Sequence, residues 1–185
     1  ALENGERSFK LADNVLAGPH VGPLFFQYAL TLLRASEESP SKRRLYLSRT
    51  NAILKKIKKF TKSAPANYLA KQHLIEAEIS RLNGKPIEAS NLFEKAIAAA
   101  RENGFLQEEA IANELVARFF AIPNPEKSRK HLLEARRLYQ KWGAVAKVNY
   151  LDQQYGLKAP TTQAGDALGS RSGGHSSDEL DMLSL

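Results

Sequence analysis

The chain has 185 residues, 43% of them hydrophobic and 25% charged, enough for one domain with a core of its own plus a tail. It contains no Cys, which excludes a disulfide framework, a thiolate metal site and a Cys nucleophile, and suits an intracellular, cytoplasmic setting. The net charge of +7 is concentrated: ten of the 27 Lys and Arg lie between Ser39 and Ile75, where there is no acid, so the rest of the chain is slightly acidic.

The first residue is Ala, and no basic segment followed by an apolar run opens the chain, so it is expected to be an excised piece of a longer protein. Residues 1–22 should hold a short helix at most, Glu6 to Ala17, with Phe9, Ala12 and Leu16 on one side and Gly18-Pro19 at its end. After Gly22-Pro23 a helix period is kept by Phe25, Tyr28, Ala29, Leu32 and Leu33 to about Ser36. Its most apolar window, Leu24 to Leu33, is interrupted by Gln27 and Thr31 and falls far short of the ~20 residues that span a bilayer. A buried helix and no membrane span are expected.

Ser39-Pro40-Ser41 is a turn that opens a basic helix, about Ser41 to Lys62, with Leu47, Thr50, Leu54 and Ile57 on its apolar line. Lys55, Lys58, Lys59 and Lys62 fall on its charged line and form a candidate anion-binding face. Ala64-Pro65 breaks that helix, because a residue before proline is pushed out of the helical region. The next should run from about Asn67 to Asn83, with Ala70, Leu74 and Ala77 inward. Asn83-Gly84-Lys85-Pro86 stops one helix with Gly and starts the next with Pro. That helix carries Ala89, Leu92, Phe93, Ala96, Ile97 and Ala100 and ends at Asn103-Gly104. Glu108 and Glu109 then fall in a first turn, where they complement the helix dipole, and Ile111, Leu115 and Phe119 line the core side. In Ile122-Pro123-Asn124-Pro125, Asn124 is the expected N-cap and Pro125 the first helical residue. Ser128, Leu132, Ala135, Tyr139 and Trp142 follow at heptad-like spacing, with Trp142 expected to plug the last layer of the core. A terminal helix, Ala144 to about Gln154, turns Val148 and Leu151 inward.

One spacing recurs. Ala89, Phe93 and Ala96 form an A-x3-F-x2-A pattern; 39 residues later stand Ser128, Leu132 and Ala135, and 39 earlier stand Thr50, Leu54 and Ile57. A repeat at that period predicts an all-α fold of stacked antiparallel helical hairpins, each covering its neighbour's apolar face. From Lys158 to Gly174 large apolar residues are nearly absent, so residues 157–175 read as a flexible linker in a disordered tail, and Lys158 to Ser177 should span an end-to-end distance of about 25 Å. In residues 176–185, Ser176 and Glu179 fit a capping box, and Leu180 and Leu183 begin an apolar face, which predicts the start of a helix entering a next domain.

Several stretches together resemble the tetratricopeptide (TPR)-like helical region of large multidomain signalling kinases of cyanobacteria and fungi. They are Ala64-Pro65-Ala66-Asn67-Tyr68-Leu69, Phe93-Glu94-Lys95-Ala96-Ile97, Glu102-Asn103-Gly104-Phe105, Glu108 to Leu115, and Tyr139-x2-Trp142-Gly143-Ala144. The resemblance covers roughly Pro23 to Tyr155 and implies a TPR-like α-solenoid domain over residues 23–156. It also implies a Ser/Thr-kinase-like domain and an NTPase module upstream, with a GAF sensor and a hybrid histidine kinase downstream. Pro123-Asn124-Pro125 departs from the Gly-containing turn that the family implies there. None of the family's catalytic motifs is in this chain. The implied role is a non-catalytic scaffold in a two-component sensor kinase, without cofactor or metal, whose partners are neighbouring domains and other signalling proteins.

Other signals are weaker. His20, His73, His131 and His175 are too scattered for a metal spacing, and Gly84-Lys85 lacks the upstream glycine of a phosphate loop. The alternative function is binding of a polyanion, nucleic acid or acidic lipid, by the basic helix 41–62. A charge run is usually a solvated face, and Tyr46 and Phe60 are too few aromatics to favour nucleic acid.

Overall fold

The computed structural model describes residues 21–157 together with Glu3, Glu6 and Arg7. The linker beyond residue 157, the helix start at 176–185 and most of the segment Glu6 to Ala17 lie outside the described residues; Glu6 and Arg7 are helical, and Glu6 stands 3.4 Å from Arg49. Seven α-helices are delimited among the described residues, which contain no strand. They are α1 (Val21–Glu38), α2 (Arg43–Ser63), α3 (Pro65–Leu82), α4 (Pro86–Glu102), α5 (Leu106–Phe120), α6 (Pro125–Trp142) and α7 (Val145–Tyr155), with a 3-10 turn at Pro40–Lys42 between the first two.

The joints follow from local chemistry. Pro65, Pro86 and Pro125 each open a helix where a missing N–H costs nothing. Asn124 caps α6 by accepting the Lys127 amide at 2.9 Å. Gly104 and Gly143, again 39 residues apart, take φ of +73° and +85°. There the chain leaves its helix through paired returns, Phe105 N–H to the Ala100 carbonyl (2.9 Å) and Ala144 N–H to the Tyr139 carbonyl (2.9 Å). One expected boundary moves: α3 starts at Pro65, not near Asn67, because Ala64 alone (φ −145°, ψ 70°) serves as the end of α2 and the cap of α3.

The helices form three antiparallel hairpins, α1/α2, α3/α4 and α5/α6, with α7 against α6. Every helix packs on its neighbours in sequence. The first helices of the hairpins also pack in series, α1 on α3 and α3 on α5, whereas the second helices stand further apart, α6 reaching α4 through the Lys127 side chain, 3.7 Å from Glu94. The array is therefore tighter on the side of α1, α3 and α5.

All nine residues of the 39-residue repeat are buried: Thr50, Leu54 and Ile57 on α2, Ala89, Phe93 and Ala96 on α4, Ser128, Leu132 and Ala135 on α6. The first position stays small because two helices approach closely there; the Ser128 hydroxyl donates to the Ala117 carbonyl of α5 at 2.7 Å. The stripes feed two main apolar clusters that meet on α5, which gives Leu115 and Val116 to the one shared with α1–α4 and Ala110 and Ala117 to the one shared with α6 and α7.

Two expectations about this core are corrected. Trp142 is 47% exposed rather than a plug. It lies level with Leu106 and Gln107, the first turn of α5, where α6 is running off the end of its partner; Leu138 and Tyr139 fill the last layer instead. Leu157, expected in the linker, is buried in the cluster shared by α6 and α7.

Candidate binding groove

The tighter side of the array opens as a cleft of about 780 Å³ floored by α1 and α5, with Glu78 of α3, the end of α6 and Lys147 of α7 on its walls. Its apolar floor is Leu30, Ala35, Ile111 and Leu115. At the amino-terminal end of the odd-numbered helices a second cleft, about 500 Å³, is walled by Tyr68, Phe105 and Trp142. Gln107 and Trp142 belong to both, so the two are continuous along α5.

Ion pairs on this side of the array join successive odd-numbered helices. Glu37 of α1 pairs with Arg81 of α3 at 2.8 Å, Glu78 of α3 with Arg118 of α5 at 3.8 Å, and Glu114 of α5 with Lys147 of α7 at 2.8 Å. In every rung the earlier helix supplies the acid and the later one the base. Arg81 also grips Glu78 of its own helix through two bonds, at 3.0 and 2.9 Å. Tyr139 donates to Glu114 at 2.7 Å; burial first, then the Glu114 charge, push its hydroxyl well above the ordinary tyrosine range.

Behind the second cleft sits a cation out of water. Lys71 is 4% exposed, its ammonium 2.6 Å from Glu108 and 2.9 Å from the Asn67 carbonyl, over the Phe105 ring at 5.0 Å and the Tyr68 ring at 5.9 Å. Next to it, Glu109 accepts from Arg101 at 2.8 Å, and Asn113 bonds the Glu109 carbonyl and His131, both at 2.8 Å. Glu108 and Glu109 do stand in the first turn of α5, and both are buried and paired with other helices as well.

The candidate anion face is divided. Lys58 is committed to Glu76 of α3 at 2.8 Å, while Lys55, Lys59 and Lys62 are exposed on the opposite side of the array from the cleft. Trp142 is the one predicted repeat residue on the groove. The charged rungs and Lys71 were missed by sequence reasoning. His73 meets Glu76 at 3.4 Å, and no group of three or more metal-ligating side chains occurs among the described residues; His20 and His175 lie outside them. Among the described residues no helix is long and apolar enough to cross a membrane.

No family model matches this chain, and neither a curated protein nor a solved structure matches it. The arrangement offers apolar floor, amide groups at Gln27 and Gln107, and rows of paired charges.

Proposed function

We propose that this chain is a non-catalytic, TPR-like helical-repeat scaffold that links and positions the NTPase and sensor/histidine-kinase modules of a multidomain signal-transduction kinase. The observation that carries the reading is the cleft along α1, α3 and α5, long enough to seat a segment of a neighbouring domain and backed by three hairpins with buried stripes at one period. The family context comes from the resemblance of Ala64 to Val148 to the helical region of such kinases.

Trp142, the sole tryptophan, stands where the two clefts join and reports on occupancy. Titration of the chain with the flanking modules should quench or blue-shift its emission, and Ile111→Glu on the cleft floor should weaken the response at least tenfold. ATP turnover or autophosphorylation by the purified chain, or no response to any flanking module, would refute the proposal.

A further inference from the structure

One helix differs from its two counterparts in its outer charge. α2, α4 and α6 are the second helices of three hairpins, and each turns a face to solvent. On α4 and α6 that face mixes signs: Lys85, the residue before α4, pairs with Glu88 at 3.2 Å, Lys130 with Glu126 at 2.9 Å, Arg137 with Glu134 at 2.7 Å. α2 has no acid at all. Arg44, Lys55, Lys59 and Lys62 are exposed there, and among the described residues no carboxylate pairs with any of them.

Helical geometry gathers these four cations on one stripe. At about 100° per residue Arg44, Lys55, Lys59 and Lys62 fall within a sector of about 60°, and at 1.5 Å per residue they extend over about 27 Å. Exposed Ser48 and Asn51 lie between them, and Leu45, 49% exposed, lies on the flank. The stripe is one helix wide, lies opposite the cleft, and is mainly lysine, a mobile point charge suited to a diffuse potential rather than to forked recognition. Tyr46 and Phe60, the aromatics of α2, are turned inward and offer bases nothing to stack on.

We propose that this stripe docks the chain peripherally on a bilayer rich in acidic phospholipid, with the four cations over the head groups and Leu45 at the interface. Each basic side chain near such a surface strengthens binding about fivefold, equivalent to about 1 kcal/mol. Lys55→Gln/Lys59→Gln/Lys62→Gln should therefore weaken binding roughly a hundredfold.

The test is co-sedimentation of the full chain with vesicles of phosphatidylcholine, with and without phosphatidylserine. The expected result is binding only with phosphatidylserine, lost as added salt shortens the Debye length from about 10 Å to about 3 Å. A charge-matched control, Lys95→Gln/Arg129→Gln/Lys141→Gln, removes three exposed cations from α4 and α6 and should change binding less than threefold. Three results would overturn the proposal: no binding to phosphatidylserine vesicles at low salt, an equal loss in the control, or tighter, stripe-dependent binding to duplex DNA than to the vesicles.

Discussion

Lys71 and Glu108 form the pair whose removal is most informative. Both are buried, 2.6 Å apart, and they join α3 to α5 behind the second cleft. Breaking a buried pair from one side strands a charge, which costs about 3–5 kcal/mol. In Lys71→Met the stranded Glu108 retains the first turn of α5, where the dipole returns about 0.5–1 kcal/mol, so about 3 kcal/mol should be lost. In Glu108→Leu the stranded ammonium keeps the Asn67 carbonyl and the Tyr68 and Phe105 rings, and about 2 kcal/mol should be lost. The double variant leaves no buried charge; a loss of only about 1–2 kcal/mol is expected, giving a coupling of about 3–4 kcal/mol, at or just above the top of the range usual for contacting residues. Urea unfolding with a common m-value supplies the four free energies, and each kcal/mol should also move the melting temperature by about 3–5 °C. A loss below about 1 kcal/mol in Lys71→Met, or losses that simply add, would refute the reasoning.

Gly22 lies under Tyr68: a Cβ there would stand 2.1 Å from Tyr68 Cε1, and the ring is backed by Phe60 at 5.3 Å. Gly22→Ala should therefore cost about 1 kcal/mol net, overpacking outweighing the helix-propensity gain, and a raised urea midpoint would contradict this. Burial, then the charge of Lys127, depress the His131 pKa below its ordinary 6.5, so the unfolded chain takes up that proton more readily. Stability from this group is complete above pH 6.5 and declines as pH falls below it; the decline should be shallower in His131→Gln, and a steeper one would exclude the assignment. At Glu76 burial raises the carboxyl, but hydrogen bonds from His73, Lys58 and Gln72 and the Lys58 charge outweigh it and hold the pKa at about 2. That contribution is present above pH 4.5 and lost between 4.5 and about 2; the full shift would be worth about 3 kcal/mol, and screening at its partly exposed partner leaves about 1. Acid titration of Lys58→Gln should show the smaller loss over that window; an unchanged loss would assign it elsewhere.

The second helix of each hairpin was legible because burial imposes a local pattern. Thr50, Ala89 and Ser128 had to be small, and Leu54, Phe93 and Leu132 large, at one interval. The groove was not legible in this way. Its rungs join residues 44, 40 and 33 apart, Glu37 to Arg81, Glu78 to Arg118 and Glu114 to Lys147, so no period marks them. Each charge alone looks like a solvated surface residue. Lys71 was read only as part of a basic run, since its partner lies on a helix two elements away. Trp142 continued an inward stripe, but a stripe does not say where the facing helix begins. Ala64-Pro65 signalled a break correctly, yet one residue proved enough for the corner.

The common sense of the rungs has a consequence for assembly of the chain during folding. Since each rung takes its acid from the earlier helix and its base from the later, Arg118 could meet Glu37 of the first hairpin as it meets Glu78 of the second, although the Lys71–Glu108 pair runs the other way and α1 has no lysine to stand in for Lys71. The rungs by themselves thus fix which way round a hairpin seats but not which hairpin it seats on. Sequence order is imposed by tether length as well as by Lys71: Ala64 alone separates α2 from α3, and Asn103–Phe105 separate α4 from α5. Three extended residues reach only about 10 Å, one interhelical spacing, so the third hairpin cannot skip the second. A longer tether at Gly104 would admit the wrong neighbour as a competing arrangement, matched in charge at Arg118 and unmatched at Glu108.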